Sequence, residues 1–562
     1  MTYDEKINAA QAALLQGNYE LSEQLYQGVL QASPENVPAL DGLGVLHCQK
    51  DETEKGIALF EQALRFLQKE TPKNPQWESS ILFHLGLSYR TLGLRHEALR
   101  VFTESAALVP PDRDLVLNLG QIHCELEQYS QAAGQFRTLT TLQTDDASAW
   151  LTLGFILSHI DQNDEAAEAL RTAEMLDPAS PEVKFYLAES LRKVERYEES
   201  LLSYQKLLHI GTEYPQAVHG YGKSLLALGK LDEGWDAMEF RFVSSFGTWE
   251  RHHLVNWSPG ANCDHVLAYS EEGIGAELMF ASCLPDLINS VDHCVVECES
   301  SLHSLFRRSF PRADFVPLAN DYVRFDGNPW GIPLDAQIAF GSLPRYFRRK
   351  MSDFPLRKAY LVPDKKQVEK WHTRLAGLGD AKKIGILWNG TWTNETPKQT
   401  SLPLPELRSL IVRSQEAAWV NLQHGARQND LNQQRGIGIA PRIFPEAFKY
   451  DLDAMAALLV ALDLVINPPG YVAHLAGALG VKTWLVVPDG ADWRHSIDVL
   501  HSRSVWHPTI KMYRQAKGQA WQDLFATLGD DLERFLTTYK PPEEIPATLT
   551  FTQRTMAVPK AA

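Results

Sequence analysis

Features that would mark a secreted, membrane-spanning or metal-bound protein are scarce in this sequence. Six cysteines in 562 residues are too few for a disulfide framework. Cys294 and Cys298 lie together in HCVVEC, but no second pair stands at zinc-ligand spacing, so buried thiols and no metal are expected. No apolar run approaches the roughly 20 residues of a membrane span. The opening MTYDEKINAA has no apolar stretch of the kind a secretory leader needs. Positive charge is in deficit. Lys and Arg number 54 against 70 Asp and Glu, a formal net charge of −16, which argues against a general nucleic-acid surface. A cytoplasmic chain with no membrane span and no nucleic-acid partner is therefore expected. The composition, 44% hydrophobic and 22% charged, is that of a globular protein, and the length predicts three or more domain-sized units.

The first half repeats itself. Gly86, Gly120, Gly154, Ala188 and Gly222 follow one another at steps of 34 residues, each preceded by a large residue: Leu85, Leu119, Leu153, Leu187 and Tyr221. Gly44 precedes Gly86 by 42, the additional length falling in LQKETPKNPQ, and Ala10 precedes Gly44 by one period. This is the tetratricopeptide (TPR) pattern, in which small residues at fixed positions let two helices approach closely and neighbouring pairs bury each other's apolar faces. Seven units fit residues 5–243. Such arrays present a concave face that holds a peptide or protein, or serve as spacers.

After DEGWDAMEFRF the period stops and strand-like and helix-like stretches alternate. HVLAYS, HCVVECE, ADFVPL and DAQIAF read as strands, with a Gly turn and helix in EEGIGAELMFASCLPDLI. The pattern restarts at KKIGILWNG and continues through AAWVNLQHG, DLDAMAALLVALDLVIN and KTWLVVP. Alternation of this kind predicts parallel sheets. The expected fold is a multidomain one, an all-α TPR superhelix followed by a GT-B-like α/β pair of Rossmann domains. Its parts are the array at 5–243, a first Rossmann-like domain at 262–350, a connector at 351–381, a second Rossmann-like domain at 382–539 and a tail at 540–562. Trp249 and Trp257 are expected to pack where the array meets the first α/β domain.

One stretch poses a question of its own. NPPGYVAHLAGALGVKTWLVVP, residues 467–488, is a Pro/Gly turn, a small-residue helix and an apolar strand. Its glycines and alanines serve either close packing or a ligand held against the backbone. Together with EGW…EFR, EEGIG…MFASCLPDL, FGSLPRYFR, KIGILWNG, HLAGALG, DWR and YRQ, it resembles the bacterial TPR-coupled glycosyltransferases of GT-B fold. More distantly the C-terminal half is similar to heptosyltransferases, and the layout to protein O-GlcNAc transferase. Some members of the group modify flagellins.

The resemblance implies a nucleotide-sugar donor, UDP-, GDP-, ADP- or CMP-linked, bound without a metal on the second Rossmann domain. It places the donor phosphates at the turn carrying Gly470 and Tyr471, where helix N–H groups and dipole favour an anion. There His474 would contact phosphate or sugar and Gly477 would keep side chains clear. Lys398, Thr400 and Ser401, in the stretch that begins at Trp388-Asn389, are the nearest equivalents of the family's phosphate-contacting pair. Asn389 and Gln423, at strand ends, are candidates for the nucleotide. The acceptor would be Ser or Thr of a protein held by the array, flagellin being one example, and Glu277 the base.

Two departures from that pattern stand out. The family's Gly-turn Asp position is Ala276 here, with Glu277 one residue along, a rotation of about 100° on a helix. Pro468 and Pro469 remove two backbone donors beside the phosphate turn. Three readings follow: a protein glycosyltransferase, a TPR interaction scaffold carrying a degenerate and inactive transferase-like domain, or a transferase for a lipid-linked or polysaccharide acceptor.

Overall fold

The 34-residue period builds helical hairpins, and the reason is visible at each small residue. The computed structural model describes residues 1–69, 74–211, 214–244, 254–318, 332–390, 400–423, 441–444, 451–497 and 502–539, which fall in two compact units, Met1–Ser190 and Leu191–Ala562. In the first unit Tyr3–Leu15 pairs with Tyr19–Ala32, Val37–Gln49 with Thr53–Leu67, and Pro75–Thr91 with Arg95–Leu108. Arg113–Glu125 pairs likewise with Tyr129–Leu142, and Ala147–His159 with Asn163–Leu176. A Cβ on Gly44 would lie 2.5 Å from the Phe60 ring, one on Gly86 2.4 Å from Phe102, one on Gly120 2.7 Å from Phe136, and one on Gly154 2.5 Å from Leu170. In every case the intruding residue is 16 positions further on and buried. The glycine is thus the hole and the large residue the knob.

The turn inside each hairpin repeats as well. Gly17, Asp51, Gly93, Glu127 and Asp161 all take positive φ, between 57° and 74°. Asn18, Asn36, Asn74, Asp112 and Asp146 cap helix N-termini with their side chains, each satisfying a backbone N–H the helix leaves free.

The period runs on into the second unit. Tyr197–His209, Pro215–Ala227 and Leu231–Met238 belong to it, with left-handed turns at Glu195 and Gly229. These helices pack with the α/β elements. The Trp235 indole N–H donates to the Arg348 carbonyl at 2.9 Å, and its ring meets Phe280, Trp493 and Trp506 edge-on. Arg241 donates to both oxygens of Glu271 and to Glu239 and Ser342, while Asp236 takes Arg345 and Arg349. The EGW…EFR stretch is therefore a docking surface between repeat and sheet.

Two parallel five-stranded sheets follow. The first has order β1-β5-β2-β3-β4, with β1 at Val255–Asn256, β2 at His265–Tyr269, β3 at His293–Cys298, β4 at Ala313–Pro317 and β5 at Ala336–Ala339. The second has order β10-β9-β8-β6-β7, with β6 at Lys383–Ile386, β7 at Ala418–Asn421, β8 at Leu464–Asn467, β9 at Thr483–Val487 and β10 at Ile510–Arg514. Every pairing among these strands is parallel, and the inner strands are buried along most of their length, as sheets covered on both faces require. β1 and β10 extend the two sheets beyond the strands predicted above. Cys294 and Cys298 are buried on β3, and burial pushes the Cys294 thiol up to about 12. Trp257 is buried against Phe347 and Tyr346. Trp249 and the tail 540–562 lie outside the described residues. Among the described residues no helix is long and apolar enough to cross a membrane.

Candidate functional site

In the second sheet the chain passes from β6 outward to β7, then returns to lay β8 on the other side of β6. That reversal of strand order makes β6 and β8 the sheet's switch point, and open α/β sheets bind their ligands beyond the carboxyl ends of the strands there. Four sequence-proposed residues meet here with a fifth beside them. The Gln423 amide oxygen accepts from the N–H groups of Asn389 at 2.9 Å and Trp388 at 3.3 Å. Asn389 pairs with Ser401 as a β-bridge, and Gly390 N–H donates to the Thr400 carbonyl at 2.8 Å. A Cβ on Gly470 would stand 2.5 Å from the Gly390 carbonyl oxygen, and one on Gly390 would stand 1.9 Å from that of Pro469. The two loops thus touch backbone to backbone. Asn467 is buried beneath them, and its Oδ1 has no partner among the described residues. Lys398 lies outside the described residues.

The Tyr471–Ala478 helix after β8 is buried on every side. Within it His474 Nδ1 lies 3.1 Å from His507 Nε2, and the His495 ring stacks on His474 at 6.0 Å between centroids. Burial holds all three imidazoles below the usual histidine range, His495 at about 4 and His507 at about 3, with the neighbouring rings adding to the effect on His474 and His507. The cluster is neutral at physiological pH, with one of the two facing nitrogens of His474 and His507 donating to the other. The space Gly477 leaves is filled by His507, whose Cγ would be 2.4 Å from a Cβ there.

This helix packs directly on Ile274–Phe280, the helix after β2 of the first sheet. A Cβ on Gly275 would be 3.7 Å from Tyr471 Cα and 3.8 Å from His474 Cδ2, ordinary contact distances. The three glutamates of this turn have separate fates. Glu271 accepts from Gly341 N–H at 2.9 Å and from Arg241, bridging the loops after β2 and β5, the switch point of the first sheet. Glu272 pairs with Arg494. Glu277 is fully buried, accepting from Ser270 Oγ–H at 2.7 Å and from Glu299 N–H at 3.1 Å. Burial raises its carboxyl to about 8, the two hydrogen bonds opposing this only in part. In this conformation no atom of Glu277 is open to a substrate.

Sequence reading left Arg494, Asp492, His495 and His507 without a role. Arg494 follows β9 and is held by Asp492 and Glu272. Its signal was its place after a strand's carboxyl end. Nothing in the spacing joined the histidines, which come from the Tyr471–Ala478 helix and two later segments. Among the described residues no group of three or more His, Cys, Asp or Glu is arranged to hold a metal ion.

The tetratricopeptide-repeat family profile matches residues 7–75 and 160–218. Protein FlbA of Caulobacter vibrioides is 27% identical over 330 residues, 55% of this chain and 54% of FlbA. The chain thus spans about half the length of that relative. The structure of YrrB, described as a TPR protein with an unusual peptide-binding site, is 19% identical, covers 34% of this chain and 96% of YrrB, and has a TM-score of 0.32. A MamA structure is 20% identical, covers 30% of this chain and 91% of its own, and has a TM-score of 0.28. The chain thus carries tetratricopeptide repeats in its N-terminal part, followed by two parallel five-stranded sheets.

Proposed function

We propose that this chain is a repeat-guided glycosyltransferase that moves a sugar from a nucleotide-activated donor to a Ser or Thr hydroxyl of a protein. One observation carries the reading: Asn389, Thr400, Ser401, Gln423 and Gly470 gather at the switch point of a parallel sheet, the locus that takes a nucleotide in such folds. The repeats would capture the acceptor. A flagellin-like acceptor follows from the family resemblance alone.

In the transfer the bond from the sugar's anomeric carbon to the donor phosphate oxygen breaks, and a bond to the acceptor oxygen forms. The acceptor proton goes to a base and the nucleotide leaves with the phosphate charge. The start of the Tyr471–Ala478 helix favours that charge. Burial keeps Glu277 protonated at neutral pH, so it takes up the acceptor's proton only once pH rises above about 8, and then by way of Ser270, whose hydroxyl touches its carboxyl. The test is equilibrium binding of UDP-, GDP-, ADP- and CMP-sugars to the full chain, with His474→Ala and Asn389→Ala. Binding of one class, lost in both folded variants, is expected. No binding of any class overturns the reading.

A second reading, an interaction scaffold with an inactive transferase-like domain, draws on one feature of the same site. Protein groups occupy the space at its glycines: Gly390 against Gly470, and His507 against Gly477. Sugar transfer that depends on Ser270 or Glu277 would rule it out.

A further inference from the structure

Arg494 is the one described residue whose side chain, placed just beyond β9 of the second sheet, forms an ion pair with the turn after β2 of the first. Its guanidinium donates to Asp492 at 2.8 Å and to Glu272, and lies over the Trp493 ring at 4.7 Å. Its Nε has no partner among the described residues. The side chain is 20% exposed and that of Glu272 29%, so the pair sits at the edge of the contact rather than inside it. Arg494 also adjoins His474 closely enough to depress that residue's proton affinity.

Glu272 has an unusual backbone. Its φ is +60°, the left-handed region, which disfavours residues with a side chain by roughly 1–2 kcal/mol. The other non-glycine residues with positive φ among the described ones are Asp51, Glu127, Asp161 and Glu195, all at the recurring repeat turn. Glu272 alone lies outside the repeats. The left-handed stretch runs on into Gly273, and in this turn the Glu272 carboxylate meets Arg494, the kind of strained position that clusters at functional sites.

We propose that Arg494 is the phosphate-binding cation of the donor site and that Glu272 is its resident counter-ion, displaced when a nucleotide-sugar phosphate arrives. It rests on the donor-site reading above and adds the residue that holds the phosphate and the carboxylate that competes with it. A guanidinium presents a planar fork of donors that fits carboxylate and phosphate alike. A phosphate can therefore take the place of Glu272 with Arg494 still bonded to Asp492. Exchange at this point also parts the ion pair that ties the β2 turn to the β9 loop, so donor binding would loosen the contact between the two sheets.

The experiment titrates the full chain with inorganic pyrophosphate and with UDP-, GDP-, ADP- and CMP-sugars, as wild type, Glu272→Gln, Arg494→Gln and the double variant. Glu272→Gln is expected to tighten binding of the phosphate ligand at least fivefold, although it removes an ion pair. Arg494→Gln is expected to weaken binding tenfold or more, and the double variant to show no gain from Glu272→Gln. A merely structural pair would lower the melting temperature in both single variants and tighten nothing. If Arg494→Gln fails to fold, Glu272→Gln decides the matter. A wild type that binds a donor, with Glu272→Gln unchanged within twofold, overturns the latch and leaves the donor site standing. Binding of no ligand by either wild type or Glu272→Gln overturns the donor site, and the latch with it.

Discussion

The ring of Phe136 fills the space that a side chain at Gly120 would need: a Cβ there would stand 2.7 Å from the ring. The same relation, small residue to large residue 16 positions on, recurs at Gly44 and Phe60, Gly86 and Phe102, and Gly154 and Leu170. Gly120→Val should therefore overpack the hairpin and cost about 1–3 kcal/mol. Gly134, exposed on the Tyr129–Leu142 helix with nothing within 4 Å of its would-be Cβ, should respond oppositely. Gly134→Ala should gain about 0.5–1 kcal/mol from helix propensity. Urea denaturation of the two variants checks both signs.

Glu195 links a repeat turn to the second sheet. Its carboxylate accepts from Gly490 N–H at 3.2 Å and Ala491 N–H at 3.1 Å, and its φ is +59°. Glu195→Ala keeps the left-handed strain that Glu195 already carries and removes only the acceptor, so a loss of about 1–3 kcal/mol is expected. Glu195→Gly also relieves that strain and should lose roughly 1 kcal/mol less. Denaturation midpoints of the pair separate the two contributions.

Acidity should act on the second unit from both sides. Glu277, raised to about 8 by burial, holds its proton in the folded state over a range where the unfolded carboxyl, near 4.3, has lost it. That contribution is complete below about pH 4.3 and is lost as pH rises through 8. Glu277→Gln should flatten the decline in stability between pH 6 and 8.5 measured by chemical denaturation.

The histidine cluster acts in the opposite direction. His495 and His507 stay neutral when folded, to about 4 and about 3, whereas unfolded histidines protonate near 6.5. Their contribution is complete above about pH 6.5 and is lost as pH falls through the folded values. His507→Gln, which retains a polar partner for His474, should reduce the loss in denaturation midpoint between pH 6.5 and 4.5.

The repeat was legible because its spacing is a packing constraint. Each glycine is a hole for a particular ring, and that need recurs in the sequence with the structure. The strands from HVLAYS to KTWLVVP were legible for a similar reason, since apolar runs between Gly and Pro turns have few alternatives. β1, only Val255–Asn256 long, was too short to leave a pattern. The meeting of Asn389 and Gln423 in the candidate site was legible because it follows from strand order: both stand at strand ends, and parallel pairing of β6 with β7 brings those ends together. The site was not legible where separate segments converge. Nothing local joins His474 to His507, or Glu272 to Arg494, 222 residues apart. The direction of Glu277 was equally hidden, because its inward turn depends on the pocket formed by Ser270 and the Glu299 N–H.

The proposed transfer stands or falls on whether this chain holds a nucleotide sugar. The most direct measurement is a thermal-shift panel of the purified full chain against UDP-, GDP-, ADP- and CMP-sugars, with and without Mg²⁺. A ligand at 100 times its dissociation constant stabilises the folded state by about 2.7 kcal/mol, a readily measured shift. A shift with one nucleotide class is expected, of equal size without Mg²⁺ and lost in His474→Ala. A flat response to all four classes from a well-folded sample would contradict it and leave the repeats as the functional part of the molecule.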